Sequence, residues 1–132
     1  IVINNPKLQE NFEYSMKQKG AFLAKGRLLG IQFQELFRDG LYYDLARHAN
    51  TLAMELKQAF LSIGAPFLSE TATNQIFPIL KNEQIETLSK AYDFYVWKKV
   101  DEENAAVRII TSWATKKEDV ARFVAAIKEL KN

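Results

Sequence analysis

One stripe of apolar residues constrains this chain more than any other feature. Leu41, Leu45, Ala49, Leu52, Leu56, Phe60 and Ile63 recur at spacings of three and four, which puts them on one side of an α-helix over residues 41–63. Gly64 and Pro66 then follow in the order that ends a helix: a residue at ease in left-handed backbone, then one that cannot continue the hydrogen-bond ladder. A long helix wetted on one side needs a second layer against its stripe. Beyond Pro66 the apolar period drops from helical to strand-like, so the second layer is expected to be a sheet.

"FLSE" and "NQIFPIL" read as strands, with Pro78 at an edge position or a bulge because it has no N–H to give a ladder. "NEQIETLSKAY" reads as a short helix with Asn82 as cap and Ile85 and Leu88 turned inward. "DFYVWKKV" and "AAVRIITS" are strands rich in β-branched and aromatic residues, joined by the polar turn "DEEN". "TKKEDVARFVAAIKEL" opens with Thr115 and Glu118 at capping-box spacing and buries Val120, Phe123, Val124, Ile127 and Leu130. The order from Phe67 is β-β-α-β-β-α. It predicts an α+β fold: a small, largely antiparallel sheet covered by helices on one face, preceded by long helices.

The first 40 residues are helical in pattern. "IVIN" reads as a short strand, Asn4 or Asn5 as a cap, and Pro6 as the first turn of a helix running to about Lys19, where Gly20 offers a stop. Residues 20–40 continue in helical pattern with Gly26 and Gly30 four apart on one face. Each glycine costs about 1 kcal/mol against alanine in a helix interior, so a close backbone approach to another helix or subunit is expected there. The chain opens without methionine on a strand-like run and is expected to be part of something longer.

Composition removes whole classes of chemistry. The 132 residues contain no cysteine and one histidine, His48. Disulfides, thiol nucleophiles and cysteine or multi-histidine metal sites are therefore excluded, and no metal site is expected. A formal charge of +2 argues for no nucleic-acid partner. The apolar runs are too short for a membrane span and no signal-peptide pattern is present, so no membrane partner is expected.

Against that background Arg108 stands out, set between Ala106–Val107 and Ile109–Ile110. Alternation puts Val107, Ile109 and Thr111 on one face of the strand and Ala106, Arg108, Ile110 and Ser112 on the other. With helices on the first face, Arg108 looks out of the second. It is then either a plain surface arginine or an anion site, for which a guanidinium fork on a rigid strand suits a carboxylate. Residue chemistry leaves both open.

Other signals are weaker. "GAFLAKGR" interleaves glycines with bases but misses the phosphate-loop spacing, and Lys19, Lys25 and Arg27 read first as solvated charges. His48 lies at the edge of the helix stripe and reads as a half-buried histidine. "YVWKK" reads as core aromatics with a basic strand end rather than a single-strand nucleic-acid binder. Glu102–Glu103 look like a soluble turn.

Three stretches carry a family resemblance: "AKGRLLGIQFQELFRDGLYYDLARHANTLAMELK", "TNQIFPIL" and above all "AAVRIITSWATKKEDV". In that order they resemble the C-terminal part of the low-specificity threonine aldolase and β-eliminating lyase family, which has the aspartate-aminotransferase fold. The resemblance spans nearly the whole chain and implies the C-terminal small domain of a fold-type I enzyme dependent on pyridoxal phosphate. It divides the chain into residues 1–40, the end of the large-domain region with connecting and interface helices, and residues 41–132, a C-terminal α+β small domain.

What the resemblance implies for residues is specific. Arg108 matches the arginine that binds the substrate α-carboxylate. Arg27, with Gly30 after it, matches an arginine that reaches the cofactor phosphate; Lys25 or Lys19 is a further candidate for that role. Ser112–Trp113 stands where the family has His–Leu. The Schiff-base lysine lies upstream in the family, so no catalytic residue is expected here and the fragment alone is expected to be inactive. The whole protein is expected to be a cytoplasmic homo-oligomeric lyase of amino acid metabolism, cleaving a β-hydroxy-α-amino acid to glycine and an aldehyde, with the Gly26/Gly30 face at the subunit contact. A β-eliminating lyase of the tryptophanase kind and a stand-alone amino-acid-binding or interaction domain are the alternatives.

Overall fold

The computed structural model describes residues 3–130. The chain divides into two compact units, one ending at Leu41 and one beginning at Tyr42. Among the described residues the first holds α1 (Pro6–Gln9), α2 (Phe12–Gln18) and α3 (Gly26–Phe37), followed by a short 3-10 turn at Arg38–Gly40. Asn5 caps α1 through a side-chain oxygen that accepts from the Lys7 N–H at 3.1 Å, with Pro6 in the first turn as expected.

Three expectations for this unit are corrected. The helix expected to reach Lys19 is broken at Asn11, whose φ of 55° interrupts the helix; asparagine is among the few residues that accept that conformation. Residues 20–25 are not helical, because Gly20 at φ 67° turns the chain, so Gly26 opens α3 rather than standing inside it. Of the expected strand "IVIN", Ile1 and Val2 lie outside the described residues, and Ile3 and Asn4 are not in a strand. No residue of the three helices is buried.

In the second unit α4 (Leu41–Ser62) follows the predicted stripe, burying Ala49, Leu52, Ala53, Leu56, Ala59 and Phe60. The stripe is fully buried only from Ala49 onward; Leu45 is half-buried and Leu41, at its start, is exposed. Gly64, at φ 79°, ends the helix while the Ala65 N–H bonds back to the Phe60 carbonyl at 3.1 Å. The remaining elements are β1 (Gln75–Ile76), β2 (Ile79–Lys81), α5 (Asn82–Ser89), β3 (Tyr95–Lys99), β4 (Asn104–Ile110) and α6 (Lys117–Glu129).

β4 is the centre of the sheet. On one side β1 pairs Gln75 with Ile110 and Ile76 with Ile109, while β2 pairs Ile79 with Ala106 and Lys81 with Asn104, all antiparallel. The register is the same in both, so β1 and β2 are one strand with Pro78 at the break. Pro78 has no N–H for a ladder, yet its carbonyl still accepts from the Val107 N–H at 3.0 Å. On β4's other side β3 pairs Tyr95 with Arg108 and Val96 with Val107, then shifts by one at Trp97 so that Lys98 meets Ala106. That extra residue is a β-bulge. "FLSE" shrinks to one bridge between Phe67 and Pro78, flanked by bonds from Leu68 N–H to the Phe77 carbonyl and Ile79 N–H to the Pro66 carbonyl. The predicted β-β-α-β-β-α order is otherwise observed.

Helices cover one face, as expected. Ala105, Val107 and Ile109 join Leu52, Leu56 and Phe60 of α4, Ile85 and Leu88 of α5, and Val120, Phe123 and Ile127 of α6 in a single core. Phe60 meets Phe123 edge-on with centroids 6.1 Å apart. Two expected caps are different. Lys116 is the N-cap of α6, and the Thr115 hydroxyl instead accepts from the Ser112 N–H at 2.9 Å, so the capping box does not form. Asn82 begins α5 rather than capping it, and its side chain holds the Glu102 carbonyl at 3.0 Å. In both cases the side chain bonds a backbone group of a turn instead: Thr115 in the turn before α6, Asn82 in the β3–β4 turn 20 residues further along the chain.

Two outcomes are expected. Phe60→Ala removes the fully buried ring at the meeting of α4 and α6 and lowers stability by about 3–5 kcal/mol, read from urea denaturation. Asp101 accepts from the N–H groups of Glu103 and Asn104 and from the Asn104 side chain, and the Glu103 N–H, foremost, holds its carboxyl below the ordinary value of 3.8. The folded-state pKa is depressed, so this contribution is complete above the unfolded-state value and disappears as pH falls through the folded one. Asp101→Asn should therefore remove part of the acid dependence of stability below about pH 4.

Candidate functional site

The face of the sheet turned away from the core carries the candidate site. By the register of β4, Ala106, Arg108 and Ile110 project to that face, with Gln75, Phe77 and Ile79 beside them on one side and Tyr95 on the other. The alternation read from the sequence is observed: Val107, Ile109 and Thr111 are buried, Arg108 is half-buried and Ile110 is exposed.

Arg108 is held from two directions. Its Nε donates to Gln75 Oε1 at 3.0 Å, and its guanidinium carbon lies 5.2 Å from the centroid of the Trp97 ring. Trp97 also packs on Phe77, with centroids 5.6 Å apart, so the indole reaches across β4. Ala106 lies at that level and is fully buried; a larger residue there would leave no room for the ring. Among the described residues Arg108 forms no ion pair. A guanidinium braced in this way, with no carboxylate in ion-pair contact among the described residues, is suited to binding an anion from outside. A pocket of about 350 Å³ adjoins it, lined by Tyr92, Asp93, Phe94, Tyr95, Ile110 and Phe123 among others.

The strand ends are tied to the helix layer. Thr111 is buried at the end of β4, and its hydroxyl donates to the Ala49 carbonyl of α4 at 2.7 Å. Its N–H donates to the Asn74 carbonyl at 3.0 Å, and the Asn74 side chain returns a bond to the Thr111 carbonyl at 2.8 Å. The ladder that fixes Arg108 is thereby extended one residue further. His48 lies 2.9 Å from the Thr115 carbonyl through Nε2, half-buried and structural, as read from the sequence.

The other candidates lie in the first unit. Lys25 is the N-cap residue of α3, with no side-chain capping bond, and Arg27 is in its first turn. Both are exposed, as is Lys19, and none of the three forms an ion pair among the described residues. A cation pair at a helix start is chemically suited to a phosphate. No described atom lies within 4 Å of where a Cβ would stand on Gly26 or Gly30, so the close approach expected of these glycines is not made among the described residues.

Sequence reasoning missed two members of the Arg108 site. Trp97 was expected in the core, but every residue of β3 is exposed and Trp97 retains 53% of its surface. Its signal lay in strand alternation, which puts Trp97 with Tyr95 on one face, opposite Val96. Gln75 carried no signal of its own, because its role depends on a register that no local pattern displays.

No protein-family model matches the chain. Two curated relatives align with nearly all of it: the low specificity L-threonine aldolases of Pseudomonas sp. (strain NCIMB 10558), 29% identical, and of Pseudomonas aeruginosa, 28% identical, each over 97% of this chain and 36% of the relative. The structure of Leishmania major threonine aldolase superimposes with a TM-score of 0.86 at 38% identity, over 92% of this chain and 36% of that one. Its relatives are threonine aldolases. The chain spans about a third of the length of the curated relatives it matches and is similar to their C-terminal portion. The α+β architecture expected from the residue pattern is the one the solved threonine aldolase shares.

The packing around Arg108 yields its own expectation. Ala106→Leu leaves the core face unchanged but forces the Trp97 ring off the guanidinium, at a cost of about 1–3 kcal/mol. In a Trp113→Phe background the emission of Trp97 should shift to longer wavelength as its ring becomes solvated.

Proposed function

We propose that this chain is the C-terminal part of a pyridoxal-phosphate-dependent threonine aldolase, which cleaves a β-hydroxy-α-amino acid to glycine and an aldehyde. The observation that carries the proposal is Arg108: a half-buried guanidinium, braced by Gln75 and Trp97 and without an acidic partner among the described residues, in a chain whose relatives bear that name.

Arg108 binds the α-carboxylate of the substrate. Fixing that group fixes the rotation of the substrate about its α-carbon, and so the bond presented for cleavage. Trp97 and Phe77 limit water on one side of the guanidinium, which strengthens its interaction with the carboxylate. Arg27 and Lys25 would hold the cofactor phosphate, a role suited to their charge and to the helix start that carries them. When bound, pyridoxal phosphate supplies the electron sink for carbon–carbon cleavage. No lysine of this chain is assigned to carry it, so these residues alone are inactive, and the working protein is a cytoplasmic homo-oligomer with the Gly26/Gly30 face of α3 at its subunit contact.

Arg108→Ala in the intact protein should raise KM for threonine roughly thirtyfold or more, corresponding to at least about 2 kcal/mol for a lost charge partner, while the urea midpoint stays close to wild type. An unchanged KM would remove the carboxylate-binding role.

A further inference from the structure

The hydrogen bond from Arg108 restricts how its guanidinium can be used. A guanidinium can grip a carboxylate side-on, through Nε and one terminal nitrogen, or end-on, through both terminal nitrogens. Here the Nε hydrogen is directed at Gln75 Oε1, 3.0 Å away, and Trp97 lies over the group at 5.2 Å. We propose that Gln75 is a positioning residue that occupies Nε, so that Arg108 takes the substrate carboxylate end-on and in one orientation. This rests on the carboxylate-binding reading of Arg108.

Gln75 is itself well anchored for such a task. Its N–H donates to Thr73 Oγ1 at 3.3 Å, and its carbonyl accepts from Thr71 Oγ1 at 2.6 Å. β1 places it opposite Ile110, so its side chain lies on the same face as Arg108 and can reach along the sheet to Nε. A neutral amide is the suitable acceptor. It fills the Nε position without cancelling the positive charge, whereas a carboxylate there would pair with the guanidinium and compete with the substrate.

The test uses the intact, cofactor-loaded protein and two readouts: KM against kcat for threonine, and the dissociation constant for glycine by calorimetry. Gln75→Leu keeps the bulk and removes the acceptor; it should weaken glycine binding and raise KM about tenfold, as for a lost hydrogen bond to a charged group, with a smaller change in kcat. Gln75→Glu keeps the acceptor and adds a charge. Relative to wild type at each pH, its glycine affinity should be lowest where the new carboxyl is ionised and should recover as it is protonated, a dependence that a merely structural role would not produce. Wild-type affinity in Gln75→Leu, or a loss in Gln75→Glu that does not vary with pH, would overturn the positioning role. Arg108→Ala distinguishes the two levels: if it also leaves glycine binding unchanged, the carboxylate reading itself fails; if it alone weakens binding, only the role of Gln75 is lost.

Discussion

The antiparallel ladder between residues 74–81 and 104–111 is the constraint on which the second unit depends. It runs in one register across Pro78, and it brings three consequences together. Val107 and Ile109 are delivered to the helices, Arg108 is delivered to the opposite face beside Gln75, and Thr111 reaches the Ala49 carbonyl of α4. A slip of one residue would exchange the two faces of the strand. It would bury a guanidinium in the core and expose two β-branched residues, a cost comparable to the whole stability of an ordinary domain.

The two faces of this sheet have different surroundings. One packs on α4, α5 and α6 and supplies rigidity. The other leaves Tyr95, Trp97 and Ile110 exposed around a half-buried arginine, which is unusual for a surface concerned only with solubility. Rigidity on the first face also constrains the second, because a strand held in a close-packed layer keeps its side chains within narrow limits. The bulge at Trp97 belongs to the same arrangement: it shifts the register of β3 at the level where the indole crosses β4.

Much of this was legible in residue order. The α4 stripe, its Gly64 stop, the inward faces of α5 and α6 and the alternation along β4 all follow from periodicity, because each depends on neighbours within a few residues. Resemblance added a role for Arg108 that composition could not. The errors share a cause as well. The Asn11 break, the helix start at Gly26 and the caps at Lys116 and Lys81 each turn on a local backbone choice that apolar spacing does not record: left-handed φ at Asn11 and Gly20, and Thr115 and Asn82 bonded away from the cap positions expected of them. Trp97 was misplaced because an aromatic in a strand is usually buried, and nothing local says that β3 lies at the edge of the sheet.

Sequence alone therefore determined the main elements of the second unit, its core face and the presence of one arginine on the wrong side of a strand, since these are encoded by apolar spacing along the chain. Only the tertiary structure decided what surrounds that arginine. Gln75 lies 33 positions from Arg108 in the chain, and they meet through a pairing register that long-range burial fixes. Trp97 reaches the same group through a bulge and the small size of Ala106. Such contacts are set by how strands are paired, and no residue pattern within either strand specifies them.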